Sequence, residues 1–203
     1  MSVARIIGAL AEIEAAQWDA LHDGSNPFVA HAFLSGLETQ GALLARNGWS
    51  ARHLTLWDGD LLVAAAPGYL KGNSHGEFVF DHAWAHAYAR HGEDYFPKWL
   101  CAVPYTPVTG PRLLARDADT QERLIDLMVS MTRDAGLSSA HVNFLRGGED
   151  ACFGDDWLSL PPATPAPGST HLQVLTWNLE AEARPAVDTV AIIRLVPADV
   201  VAL

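Results

Sequence analysis

Ser50-Ala51-Arg52-His53-Leu54-Thr55-Leu56-Trp57, Asp58-Gly59-Asp60, and then Leu61-Leu62-Val63-Ala64-Ala65-Ala66-Pro67-Gly68-Tyr69-Leu70-Lys71 form two apolar runs about a turn. Asp-Gly between such runs signals a β-hairpin, because glycine supplies the positive φ that tight hairpin turns require. His53, Thr55 and Trp57 alternate with Arg52, Leu54 and Leu56, the period of a strand. Ala64-Ala65-Ala66 is a strand whose small side chains let another element approach closely. Pro67, which has no amide hydrogen, marks an edge or a bulge.

Upstream, Ala4–Leu10 reads as a short strand. Ala11–Asp23 reads as a helix with Ile13, Trp18 and Leu21 on one face. Asp23-Gly24-Ser25-Asn26-Pro27 is a turn, and a second helix follows over His31–Ala45, ended by Asn47-Gly48. Its packed side would carry Phe33, Leu34, Leu37 and Leu44.

Downstream, Lys71–Gly76 is a loop and Glu77–Phe80 a short strand. Asp81 then stands where it can cap a helix over His82–Arg90. Tyr95–Val103 fits either a helix end or a strand. Asp117-Ala118-Asp119-Thr120 opens a helix over Gln121–Asp134, with Leu124, Leu127, Met128 and Met131 at helical spacing and Gly136 as its C-cap. Ser139–Leu145 is a strand.

From Gly154 the composition changes. Pro161-Pro162-Ala163-Thr164-Pro165-Ala166-Pro167-Gly168 has the character of a linker. Leu172–Leu179 and Val187–Val196 are candidate strands beyond it. We therefore expect a domain over residues 1–153 and a linker with a weakly determined tail over 154–203.

Composition limits the function classes. Apolar residues make up 49% and charged residues 18%, enough to build a core. The formal net charge is −11 and the only lysines are Lys71 and Lys98, with arginines scattered. That argues against a nucleic-acid backbone as the main partner, since phosphate neutralisation takes clustered Lys and Arg. Cys101 and Cys152 stand far apart, a spacing read as buried thiols in a reducing compartment over the alternative of a disulfide framework. No CxxC or HExxH occurs, and no apolar run is long enough to span a bilayer. The N-terminal apolar stretch is interrupted by Glu12 and Glu14 and lacks a cleavage pattern. Cytoplasmic is the expected location.

Function is concentrated in Tyr69–Leu114. Aromatics, histidines, carboxylates and both lysines crowd there, closing in Pro104-Tyr105-Thr106-Pro107-Val108-Thr109-Gly110-Pro111. Rigid aromatic surface interleaved with groups that bind or move protons is the mixture that lines pockets. Four blocks carry a resemblance. They are Pro27–Leu34, Arg52–Leu56, Tyr69–Asp81 with Trp84-Ala85 and Ala87-Tyr88, and Tyr95–Lys98 running into Val103–Leu113. In this order, over roughly residues 25–153, the chain resembles a bacterial family of FemAB-like proteins. That family is related to peptidoglycan biosynthesis and belongs to the GNAT acyltransferase superfamily.

The resemblance implies an α/β fold, a GNAT-like and mostly antiparallel central sheet flanked by helices. It implies acyl or aminoacyl transfer to an amine, with a small molecule or a peptidoglycan precursor as acceptor. The donor would be acyl-CoA or aminoacyl-tRNA, a co-substrate and not a tightly bound cofactor; no metal is implied. Family members resemble two such halves in tandem, and this chain matches the first. After Gly154 it shows none of the basic, aromatic sequence expected of the second, which reads as a truncated, frameshifted or divergent tail. The alternatives are a non-catalytic acceptor-binding domain or an inactive fragment. No glycine-rich Q/RxxGxG/A turn of the type that seats acyl-CoA pyrophosphate on a helix N-terminus is present.

Each candidate residue has two readings. Glu77 and Asp81 are candidates for a general base or an ammonium anchor; alternatively Glu77 is a strand-edge charge and Asp81 a helix cap. Lys71 and Lys98 are candidates to hold a substrate phosphate or carboxylate, or are ordinary solvated lysines. Ser74, Tyr105, Thr106 and Thr109 offer hydroxyls to an acceptor, or belong to structural turns. Trp84 is a stacking platform, or core together with Tyr88. His82 and His86 share a helix face but lack the intervening glutamate of a zinc motif, so surface or hydrogen-bonded histidines are expected.

Overall fold

The computed structural model describes residues 2–79, 81–154, 157–160 and 191–195. Its strands are β1 (Val3–Ile7), β2 (Trp49–Ala51), β3 (His53–Asp58), β4 (Leu61–Ala66), β5 (Gly68–Lys71), β6 (Lys98–Cys101), β7 (Leu114–Ala115), β8 (Ser139–Asn143), β9 (Leu158–Leu160) and β10 (Ala191–Leu195). Its helices are α1 (Ala15–Asp19), α2 (His31–Thr39), α3 (His82–Arg90) and α4 (Ala118–Asp134). One sheet runs β1-β3-β4-β7, the other β2-β5-β6-β8-β10-β9. Every pairing is antiparallel except β6 with β8. The α/β class with mostly antiparallel sheet and flanking helices is as expected.

The hairpin forms where the sequence placed it. Asp58 pairs with Leu61, and Gly59 takes φ 59° at the turn. Neither arm is one strand, however. The first divides at Arg52 into β2 and β3, the second at Pro67 into β4 and β5, and the pieces belong to different sheets. Proline cannot donate to a ladder. Gly68 permits the crossing, because a Cβ there would stand 2.3 Å from the Trp99 ring and 2.5 Å from the Arg52 carbonyl.

The first sheet is covered on both faces. Leu54, Leu56, Ala64 and Ala66 meet Leu124, Ile125, Met128 and Met131 of α4. Ile7, Trp57, Leu62 and Ala65 meet Trp18, Leu21 and Leu34 from the α1–α2 side. Trp18, fully buried, also donates its indole N–H to the Val29 carbonyl at 2.9 Å. α4 follows its sequence pattern and is capped by Asp117, whose carboxylate accepts from the Thr120 amide at 2.8 Å. Gly136 follows it at φ 62°.

Three expected elements differ. The first helix is confined to α1 after a 3-10 turn at Leu10–Glu12, because the Glu12 side chain turns back to the Ala9 amide. The second stops at Thr39, and Gly41 at φ 74° turns the chain away. Residues 77–79 form no strand, their backbone being held in turns by Phe78 at φ 58° and Gly76 at φ 77°. Tyr95–Val103 resolves as a strand, β6. Beyond residue 153, β9 and β10 continue the sheet, β10 lying within Val187–Val196. The proline-rich run 161–168 and the strand expected over 172–179 lie outside the described residues. Among the described residues, no helix is long and apolar enough to cross a membrane.

Candidate active site

In the second sheet, neighbouring strands place Trp49 opposite Lys71 and Lys71 opposite Lys98. Paired residues project from the same face, so a tryptophan and two lysines stand in a row. The loop from Gly72 to Val79 and the start of α3 fold over that row, bringing Glu77 and Asp81 onto it. Lys71, Lys98, Glu77 and Asp81 are all buried.

Lys98 is the centre. Its ammonium donates to Glu77 Oε2 at 2.8 Å and to Asp81 Oδ2. Asp81 also accepts from Tyr95 OH at 2.7 Å and from Ser74 Oγ at 2.5 Å. The lysine head lies near the Tyr95 and Phe96 rings, at 5.2 and 5.7 Å. Lys71 donates to the His75 carbonyl at 3.0 Å, sits 3.5 Å above the Trp49 ring and is 3.9 Å from Glu77 Oε1. Two ammoniums thus balance two carboxylates, which makes burial of four charges tolerable.

The two carboxylates are not equivalent. Burial pushes Asp81 upward, but the Lys98 charge and hydrogen bonds from Lys98, Ser74 and Tyr95 outweigh it and hold the carboxyl at about 2. Burial dominates at Glu77, and Lys98 offsets it only in part, so that carboxyl is pushed up to about 7. Glu77 Oε1 is buried and makes no hydrogen bond. Burial likewise brings Lys71 down to about 8, against the pull of Glu77. The two environments therefore drive the carboxyl pKa values apart. Glu77 is poised near neutrality, while Asp81 stays ionised and fixes Lys98.

His141 on β8 completes the far side, 2.9 Å from Ser139 Oγ and 3.4 Å from Tyr95 OH. Burial, then the nearby Lys98 charge, holds it well below the usual histidine range, so it is neutral. Three bulky residues around the cluster take positive φ: Phe78 at 58°, Tyr105 at 57° and Phe144 at 55°. Such conformations are sparsely populated and persist where surrounding contacts impose them. Here the Tyr105 amide donates to the Gly76 carbonyl, the Gly110 amide to the Phe144 carbonyl, and Phe144 packs on Val79. Each constraint grips either the loop over the cluster or the proline-bracketed stretch beside it.

The structure brings together Glu77, Asp81, Lys71, Lys98 and Ser74. Asp81 does stand at the N-cap of α3, but its side chain makes no capping bond; its carboxylate is committed to Lys98, Tyr95 and Ser74. Neither lysine is solvated. Tyr105 lies beside Trp49, ring centroids 5.4 Å apart, with its hydroxyl on the Ala42 carbonyl at 3.2 Å. Thr106 and Thr109 are half-buried in the next loop, and the Thr109 carbonyl accepts from Asn26 Nδ2 at 3.0 Å. Trp84, half-buried, packs against the cluster of Tyr88 and Tyr95 together with Phe96. His82 and His86 are exposed on α3.

Trp49, Tyr95 and His141 were not singled out from the sequence. Trp49 was findable as the aromatic opening the strand that pairs with Lys71, but only once the arm was divided at Arg52. Among the described residues, no group of three or more His, Cys, Asp or Glu is placed to hold a metal.

A profile of the FemAB-like family, described as peptidoglycan biosynthesis/recognition, matches residues 9–159. The chain belongs to the FemAB-like family. No curated protein matches it. Among solved structures it is similar to a Drosophila melanogaster polyamine N-acetyltransferase, at 13% identity and TM-score 0.47, over 96% of this chain and 100% of that one. It is also similar to a probable acetyltransferase from Staphylococcus epidermidis, at 10% identity and TM-score 0.48, over 97% and 99%. A Bacillus cereus IAA acetyltransferase matches at 10% identity and TM-score 0.46, over 96% and 99%.

Proposed function

We propose that this FemAB-like domain transfers an acyl group from an acyl thioester such as acyl-CoA to a primary amine, on a small molecule or a cell-wall precursor. One observation carries the reading: Glu77 is a buried carboxylate with one oxygen that accepts no hydrogen bond and a pKa raised to about 7. A general base works best when its pKa lies near the operating pH. The acceptor nitrogen attacks the thioester carbonyl carbon, the C–S bond breaks and the thiolate departs. Glu77 takes the proton that the nitrogen loses and passes it on to the thiolate. Asp81 holds Lys98, and Lys98 holds the second oxygen of Glu77, so the basic oxygen keeps its position. For the amine to reach it, the Gly72–Val79 loop must lift.

A second reading, acceptor binding without transfer, is favoured by the start of α4. This helix lies in the connection between the parallel strands β6 and β8. A helix N-terminus is a natural anion seat, yet here Asp117 fills it with a carboxylate of its own. The proline-bracketed stretch before it supplies no glycine-rich turn.

Titration with acetyl-CoA, read by thermal unfolding, separates the two. A ligand bound at a hundred times its Kd stabilises by about 2.7 kcal/mol. A saturable rise supports transfer. No rise up to millimolar concentration removes the thioester step and leaves acceptor binding alone.

A further inference from the structure

We infer that Trp49, Tyr105, Glu77 and the His75 carbonyl form a cage for a primary ammonium group, which the free protein fills with its own Lys71. The inference deepens the amine-acceptor reading and rests on it. Among the described residues, Glu77 Oε1 is a buried carboxylate oxygen without a hydrogen-bond partner, and it stands 3.9 Å from the Lys71 head. Buried polar atoms are ordinarily paired, so such a group asks for an explanation.

The contacts of the Lys71 head are those a bound alkylammonium needs. An aromatic face lies 3.5 Å away, a carbonyl accepts at 3.0 Å, and a carboxylate oxygen stands at 3.9 Å. An ammonium over a desolvated tryptophan face is strongly held, and tryptophan is the best ring for it. Without Lys71, Glu77 still keeps a bonded ammonium, because Lys98 donates to its other oxygen at 2.8 Å. Lys71 is therefore the exchangeable charge and Lys98 the fixed one. Charge count agrees: without Lys71 the cluster keeps two carboxylates against one ammonium, and one incoming cation restores balance.

One of the two aromatic walls of the cage meets solvent. Tyr105 is 41% exposed, lies 5.4 Å from the Trp49 ring and is strained at φ 57°. Gly76, against which its ring packs, leaves no room for a Cβ, which would stand 2.6 Å from that ring. An acceptor amine enters past Tyr105 and displaces the Lys71 head, so Lys71 acts as a built-in competitor.

The test needs no acyl donor, so its failure is separable from failure of acyl transfer. Propylammonium chloride reproduces the part of the lysine side chain that Lys71→Ala removes. It is titrated into full-length wild type and Lys71→Ala, with sodium chloride and 1-propanol as controls for ionic strength and for cavity filling. Lys71→Ala should show a saturable rise in unfolding temperature with propylammonium alone. Its affinity should be at least about tenfold tighter than that of wild type and about tenfold weaker when Trp49→Leu is added. In wild type, propylammonium should speed hydrogen exchange of amides 72–79 as Lys71 leaves the His75 carbonyl. An equal response in wild type and Lys71→Ala, an equal effect of 1-propanol, or unchanged exchange in wild type overturns the inference. If Lys71→Ala does not fold, Lys71→Gln, neutral and shorter, is read by the same criteria.

Discussion

Replacing Lys98 with methionine tests the buried charge cluster most severely. Methionine has similar length and no charge, so the change removes the ammonium that bonds Glu77 Oε2 at 2.8 Å and also bonds Asp81. Were the cluster at the surface, breaking such a pair would cost about 1 kcal/mol or less. All three side chains are buried, however, and stripping one partner from a buried pair costs about 3–5 kcal/mol. That is a large share of the roughly 5–15 kcal/mol that keeps a domain folded. The pH dependence gives a second signature. In the wild type, Asp81 is held at about 2, below its ordinary 3.8, so its contribution is complete above 3.8 and is lost as pH falls through 2. Without Lys98, burial dominates and raises both carboxyls above their unfolded values. The contribution of Asp81 then reverses, and that of Glu77, already raised to about 7 in the wild type, grows in the same direction: both are retained at low pH and lost as pH rises. The variant should therefore unfold at much lower urea than wild type at pH 7, and the gap should narrow towards pH 4. A loss below about 1 kcal/mol at pH 7 that does not change with pH would refute the buried-cluster argument.

Other consequences can be checked independently. Gly76→Ala forces a Cβ into a φ of 77° and to within 2.6 Å of the Tyr105 ring; it should lower the unfolding temperature and raise the exposure of Tyr105, seen as faster iodination of that residue. Met128→Ala empties a fully buried position between α4 and the first sheet and should cost about 2–5 kcal/mol in urea unfolding. Thiol labelling of the folded protein should modify Cys152, which is exposed, and spare Cys101, which is buried and whose thiol burial pushes well upward.

Local chemistry made part of this fold legible. Asp58-Gly59 announced the hairpin because only a narrow set of residues suits such a turn, and α4 announced itself through its cap and its apolar spacing. The division of each arm between two sheets was not legible, because apolar character continues across Arg52 and Pro67-Gly68. What separates the strands there is a distant residue, Trp99, packed against Gly68. At the site, the composition of Tyr69–Leu114 drew attention to the right segment, and the scarcity of lysine drew it to Lys71 and Lys98. Their burial could not be read locally, since a lysine is ordinarily solvated unless a partner neutralises it. The partners come from a loop and a helix start that reach the lysines only through the fold. Asp81 shows the same limit: its position is that of a cap, and its bonds are those of a lysine anchor.

The most direct test of the central claim is the pH dependence of acyl transfer from acetyl-CoA to a primary amine, measured for wild type and Glu77→Gln. The account predicts a wild-type rate that rises through about pH 7 as Glu77 loses its proton. In Glu77→Gln the rate should fall by about 10²–10⁴, and the rise should disappear. A Glu77→Gln rate equal to wild type, with the same pH profile, would contradict the assignment of Glu77 as the base.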